Sequence, residues 1–458
     1  MSEGVIDAEA GVDRGRLAEL TAREAETFAA ERPRSRALAE RARGSLLGGV
    51  PMTWMLRWAG PYPLFLADAH GARVGDVDGH EYLDLCLGDT GAMAGHAPAP
   101  VVQAVARRAA AGMTAMLPTE DAVWAGEELA RRFGLPLWQF TLSATDANHF
   151  AIRMARAVTG RPKILVFNGC YHGTVDETFA TLRPDGSVRA RAGNVGPPVD
   201  PAATTKVVEL NDLDALEAAL EAGDVACVLA EPALTNIGIV LPEAGFHEAL
   251  RELTRRAGTL LILDETHTFS AGPGGYTAAH GLQPDVLTIG KAIGGGVPVG
   301  AFGVGEELAA RALGQADADY EDVGGIGGTL AGNALSLAAV RATLGEVLTD
   351  DAFEQMTALG ARLAAAIEDA IADASRPWHV TRLGARAEYR FSPEPPRDGG
   401  ESAALGDEEL ERYLHLHALN RGVLLTPFHN MALVCPATSA ADVDRYGEVF
   451  AAALGELA

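Results

Sequence analysis

The stretch whose reading decides the fold is "TLLILDETHTFSAGPGGYTAAHGLQPDVLTIGK", residues 259–291. It holds two short apolar runs that stop on charged residues: "TLLILDE" on Asp264 and Glu265, and "VLTIGK" on Lys291. Neither run alternates polar with apolar residues, so both read as strands buried on two faces, as in a mainly parallel sheet covered by helices. Lys291 lies 27 positions after Asp264, which is the length of one strand–helix–strand crossover. Neighbouring strands can thus present an amine and a carboxylate to one ligand. Burial favours the neutral form of a lysine, and a neutral amine is a good nucleophile toward carbonyls. Read singly, Lys291 also fits a side chain that snorkels to water, and Asp264 a helix cap. The glycines at 294–296 permit a bend or a close backbone approach that a Cβ would block.

Working outward, "KILVFN" and "VACVLAEP" are apolar runs of the same kind, and they alternate with helical stretches from about 100 to 340. Residues 14–46 read as one or two helices broken near Pro33, and "GARVGDVDGHEYLDLCLGD" as a hairpin turning at Asp78-Gly79. After about 340 come long Ala/Leu-rich helices, strand-like pieces around 386–392 and 423–435, and a final helix. The fold class is therefore α/β. A large mainly parallel-sheet domain, residues 100–340, is flanked by a smaller α+β domain built from both chain ends, residues 1–99 and 341–458.

The 458 residues are 48% hydrophobic and 22% charged, enough for a large core, and the formal net charge of −25 argues against nucleic acid or an anionic membrane as partner. The start "MSEGVIDAEAG" lacks the basic and apolar regions of a signal peptide, and no stretch approaches the ~18 apolar residues of a membrane span. The expected location is the cytoplasm. Cys86, Cys170, Cys227 and Cys435 are widely spaced, with neither a disulfide framework nor a CxxC pair, and His415 and His417 would not share a helix face. No metal is expected.

Ligands of open α/β sheets bind beyond the carboxyl ends of the strands. Besides Asp264 and Lys291, those ends carry Glu231 in "CVLAEP" and Tyr171 and His172 in "LVFNGCYHG". In "TLSATDANHFAIRMARAVTG", Ser143, Ala144 and Thr145 open an amphipathic helix, where amides and hydroxyls suit an anion. An ordinary N-cap makes the same demand. The cofactor that needs an amine, a carboxylate and an anion cradle is pyridoxal 5'-phosphate: lysine forms the Schiff base and the acid keeps the pyridine nitrogen protonated.

"SATDA", "GCYHG", "AEP", "LDET", "GKAIGGGVPVGAFG" and "GGTLAGN" occur in the order and spacing of class III pyridoxal-phosphate aminotransferases, and the chain resembles the branch of glutamate-1-semialdehyde aminomutase and β-amino-acid aminotransferases. The resemblance runs from about residue 30 to the end. It implies fold type I and a homodimer with shared active sites. Lys291 matches the Schiff-base lysine, Asp264 the partner of the pyridine nitrogen, and Tyr171 the aromatic stacked on the ring. Ala144 and Thr145 match phosphate ligands, and Thr329, after the glycine-rich stretch 324–328, matches the residue that reaches the other subunit's phosphate. Asn236 matches a residue near the ring hydroxyl, and Glu231 a support behind the site.

Departures bear on the substrate. Thr266 stands where a valine usually packs under the ring, and His267 where a methionine stands. Thr266 can bond toward the cofactor or to backbone; His267 can carry a proton, pack, or face solvent. The arginine that grips a carboxylate in the aminomutase branch is replaced by Trp54 or Met55, and that of the β-amino-acid enzymes by Phe428 or His429. With Asp89 and His172, Trp54 and Phe428 make a candidate pocket for an apolar or cationic amine, or an amino acid held differently, in preference to glutamate semialdehyde or β-phenylalanine, although Asp89 also fits a simple turn. The expected activity is amino transfer between a small-molecule amine donor and a keto acceptor through Lys291. An intramolecular aminomutase is the alternative, and racemases and decarboxylases use the same groups.

Overall fold

The computed structural model describes residues 11–313 and 325–457, so Gly324 of the glycine-rich stretch lies outside the described residues. Two compact units emerge. One comprises residues 99–353 and 396–404, and the other residues 11–98, 354–395 and 405–457.

The first unit is built on a seven-stranded sheet: β1 (Leu137–Thr141), β2 (Lys163–Phe167), β3 (Thr205–Val208), β4 (Val225–Ala230), β5 (Leu260–Asp264), β6 (Val286–Ile289) and β7 (Gly300–Val304). Their order is β1-β7-β6-β5-β4-β2-β3. The neighbours β3, β2, β4, β5 and β6 pair in parallel, and β7 runs antiparallel to both β6 and β1. β2, β4, β5 and β6 are the four apolar runs of the sequence, and every residue of β4 and β6 is buried. Two helices pack against β1, α1 (Glu120–Phe133) and α2 (Ala144–Thr159), the second of which starts immediately after that strand.

β1, β3 and β7 were not legible as strands. For β7 the reason is packing: the Cβ of any side chain at Gly303 would come within 2.6 Å of the Trp138 indole, and one at Gly300 within 2.3 Å of the Ser143 carbonyl oxygen. Glycine is depleted in strands because it buries nothing. Here its lack of a side chain lets β1 and the start of α2 close on β7.

Arg132, near the end of α1, is 6% exposed, and its guanidinium donates to Glu128 and to the carbonyls of Pro273, Leu344 and Leu348. A buried cation survives only with such pairing.

The second unit has a four-stranded sheet, in which residues 66–70, 73–76 and 81–84 form an antiparallel meander and Val423–Leu424 joins in parallel. A three-stranded sheet adds His379–Leu383, Arg386–Arg390 and Met431–Leu433. The expected hairpin turns at Gly79, with φ of 96°, and the N-terminal helices Arg14–Glu31 and Pro33–Ala42 break at the expected place. Between them Arg32 is buried, donating to the Tyr82 hydroxyl and the Asn420 side chain. The four cysteines are free and buried. No helix among the described residues is long and apolar enough to cross a membrane.

Two glycine substitutions should have opposite signs. Gly300→Ala drives a Cβ into backbone and is expected to cost about 1–3 kcal/mol, whereas Gly126→Ala in α1, where nothing lies within 4 Å of the added Cβ, should stabilise by about 0.5–1 kcal/mol. Denaturant midpoints of the two variants check this.

Candidate active site

The carboxyl ends of β1, β2, β4, β5 and β6 lie along one edge of the sheet and carry the site. Asp264 ends β5 and is 3% exposed. Its Oδ2 accepts from His172 Nδ1 at 3.0 Å and from Asn148 Nδ2 at 2.8 Å, and its Oδ1 from the Thr266 amide at 3.0 Å. Asn148 accepts in turn from the Thr288 hydroxyl at 2.6 Å. Burial alone would raise the Asp264 pKa; the His172 hydrogen bond and charge, with the Thr266 and Asn148 donors, outweigh it and hold the carboxyl below its usual range. Burial alone would likewise lower the His172 pKa. The Cys170 sulfur and the Asp264 carboxylate beside the ring reverse that, so His172 titrates above its ordinary value.

His172 was expected on the wall of a substrate pocket, and the structure corrects this. Its side chain has no exposed surface and its ring is turned onto Asp264, because a buried carboxylate needs a partner more than a pocket needs a wall. Asn148 and Thr288 were missed altogether. The signal was there for Asn148: it falls on the buried face of α2 with Ala147, Ala151 and Ile152, and a lone amide on an apolar helix face needs a polar partner.

Lys291 follows β6 with φ of 48°, in the left-handed region. Its Nζ lies 2.6 Å from His267 Nε2 and 6.0 Å from the centroid of the Tyr171 ring. His267 is therefore not merely packed among apolar groups. Thr266 directs its amide to Asp264, while its hydroxyl is buried without a hydrogen-bond partner.

Glu231 accepts from the Tyr171 amide at 3.1 Å and from the Thr235 hydroxyl, and burial pushes its pKa up. Asn236 donates to the Gly169 carbonyl at 3.3 Å. Glu265, also pushed up by burial, is clasped by the Thr268 hydroxyl and the Tyr276 and Thr277 amides.

At the start of α2, Ser143 caps the helix by accepting from the Asp146 amide at 3.2 Å, and Thr145 Oγ1 accepts from the Thr174 amide at 3.2 Å. A Cβ at Gly173 would fall 2.0 Å from Thr145 Oγ1, and one at Gly290 2.9 Å from the Ala144 amide nitrogen. The loop after β2 and the end of β6 thus press against the helix start.

Thr329 is exposed in the turn that follows residue 328. Trp54, Phe428 and Asp89 belong to the second unit. There Trp54 and Phe428 meet edge to face with centroids 5.7 Å apart, and Asp89 is half-buried with φ of 50°. Among the described residues Glu24, His417 and Glu456 come close enough to hold a metal ion. Arg23 and Arg421 already pair with both carboxylates, which leaves a cation little to gain.

A family model described as aminotransferase class-III matches residues 55–454. The chain belongs to the class III aminotransferases. Pyridoxal phosphate is the cofactor of this family's enzymes and of this chain. The chain is 36% identical over 404 residues to a glutamate-1-semialdehyde 2,1-aminomutase of Roseiflexus castenholzii, covering 86% of this chain and 90% of the relative. A crystal structure of a glutamate-1-semialdehyde-aminomutase from Pseudomonas aeruginosa PAO1, a lysine-to-alanine variant in complex with PMP, superposes with a TM-score of 0.96 at 51% identity, over 98% of this chain and 100% of that one. A β-phenylalanine aminotransferase from Variovorax paradoxus gives a TM-score of 0.84 at 27% identity, over 96% of this chain and 97% of that one.

The Asp264–His172 pair has a pH window with a defined sign. The Asp264 contribution to stability is lost as pH falls through its depressed pKa. That of His172 is present in full below the ordinary histidine value and lost as pH rises through its raised one. In Asp264→Asn the His172 pKa should fall, because the carboxylate that favours the cation is gone while burial remains. NMR of histidine-labelled protein reads this, and an unchanged titration would contradict it.

Proposed function

We propose that this chain is an intramolecular aminomutase of the glutamate-1-semialdehyde type, which exchanges an amino and a carbonyl group between neighbouring carbons of one substrate. The observation that carries the reading is the presentation of the Lys291 amine and the Asp264 carboxylate from adjacent parallel strands, in a chain whose similar curated relatives bear that name. Transfer from an amine donor to a separate keto acceptor uses the same groups, and the sequence alone favoured it. The relatives favour the intramolecular route.

The residues present fit pyridoxal phosphate. They offer a primary amine, an anionic carboxylate, a helix start lined by Thr145 and the Thr174 amide, and an unpartnered Thr266 hydroxyl buried beside Asp264. When bound, the cofactor supplies an aldehyde for a primary amine and a protonated ring that withdraws electrons from the substrate carbon. Lys291 is the amine that would hold it, and its Nζ would carry protons to and from the substrate carbons. Asp264 keeps the ring nitrogen protonated, while His172 and Asn148 hold that carboxylate charged and oriented. Tyr171, its backbone amide donating to Glu231, would cover one face of the ring. Ser143, Ala144, Thr145 and the amides of the helix start hold the phosphate, and Thr266 and Asn236 border the ring. Thr329 reaches the phosphate of the other subunit in a homodimer. By the resemblance alone, Trp54, Asp89 and Phe428 are assigned to the substrate.

The direct test is to incubate the purified protein with glutamate 1-semialdehyde and no added keto acid, and to measure 5-aminolevulinate. Product without an acceptor is expected. Turnover that requires pyruvate or 2-oxoglutarate would return the enzyme to the intermolecular class. A 2-amino aldehyde lacking the distal carboxylate, run alongside, reads whether the replacement of arginine by Trp54 or Met55 has relaxed the demand for that group. Lys291→Ala should retain cofactor and lose turnover, and Asp264→Asn should lower kcat by about 10²-fold or more while remaining folded.

A further inference from the structure

His267 stands where the resembling family places a methionine, and it is 8% exposed. It follows Thr266 on the chain leaving β5 and comes directly before the short helical turn Thr268–Ala271, so its backbone is fixed on both sides. Its Nε2 meets Lys291 Nζ at 2.6 Å. Two nitrogens at that distance share one hydrogen, because an imidazolium and an ammonium both present only donors and repel.

Three acids at these strand ends are held by donors of their own. Asp264 accepts from His172, Asn148 and the Thr266 amide, and Glu265 from Thr268 and the Tyr276 and Thr277 amides. Glu231 accepts from Thr235 and the Tyr171 amide. Tyr171, with its ring 6.0 Å from Nζ, and His172, which is turned onto Asp264, also face these strand ends.

We propose that His267 is the positioning residue and proton partner of Lys291. It steadies Nζ and relieves it of the proton taken from one substrate carbon until that proton is returned to the neighbouring carbon. The inference rests on the assignment of Lys291 made under Proposed function. In the first step a C–H bond breaks, its electron pair stays on carbon and the proton goes to Nζ. Nζ then passes a proton to Nε2. At the second carbon the order reverses, a new C–H bond forms, and nothing is oxidised or reduced. With Nε2 within hydrogen-bond reach of Nζ, the proton taken from the substrate has two nitrogens on which to reside.

The test is a pH titration of the resting holoenzyme, followed by its visible cofactor absorbance without substrate, in the wild type, His267→Gln and His267→Met. A coupled pair titrates in two macroscopic steps. Two steps are expected in the wild type and one in each variant. Glutamine can still hydrogen-bond Nζ but cannot take its proton, so His267→Gln should keep KM and lose about 10²-fold in kcat. His267→Met should lose both. Identical titrations in all three proteins, or pH–rate profiles that superimpose, would overturn the proposal and leave His267 as packing. If His267→Met fails to fold or bind cofactor, His267→Gln decides alone. Titration of the resting enzyme needs no turnover. A protein that fails the aminomutase assay can therefore still give the two-step result, and a single step in the wild type defeats the proposal whatever the assay gives.

Discussion

The first unit is organised around one buried carboxylate. Removing Asp264 from water costs several kcal/mol unless donors meet it, and its donors come from separate places: His172 after β2, Asn148 within α2 and the amide of Thr266 just past β5. They converge because β2, β4 and β5 are successive neighbours in the sheet and α2 packs across β4, β5, β6 and β7. Asp264 lies in register with Thr288 of β6, whose hydroxyl holds Asn148. A slip of one residue in β5 would turn the carboxylate to the opposite face. Strand order, register and site charge are thus one constraint.

A second constraint joins the amine to the anion cradle. The left-handed backbone of Lys291 costs about 1–2 kcal/mol for a residue with a Cβ, and it follows Gly290, where a side chain would strike Ala144 at the start of α2. Close approach of β6 to the helix start and the turn that redirects Nζ therefore occur together. The strain persists because the strand on one side and the turn Lys291–Gly294 on the other determine the path.

The second unit stores strain of the same kind. Leu87, Gly88, Asp89 and Thr90 take φ values of 47°, 57°, 50° and 79° in succession. Asp84 holds the entry by accepting from the Cys86 and Leu87 amides, and the buried Arg386 holds the exit by donating to the Thr90 hydroxyl at 2.8 Å. A run of left-handed residues is rare outside functional segments, and this one sets the direction of Asp89.

The sequence by itself determined the class of the fold, the strand ends at Glu231, Asp264 and Lys291, and the cofactor chemistry, because an amine, a carboxylate and an anion cradle occur together at strand ends where each alone also fits a cap or a surface side chain. It also exposed the helix start at Ser143. It could not show β7, whose glycines are a response to Trp138 and Ser143 across the sheet. Nor could it show Asn148 and Thr288, which act through contacts far apart in the chain. His172 and His267 illustrate the division. Both were visible as histidines near strand ends, yet which one faces Asp264 and which one faces Lys291 depends on side-chain direction. Only the packed sheet decides that, because a hydrogen bond is set by a few tenths of an ångström between groups that sequence spacing places no closer than a crossover apart.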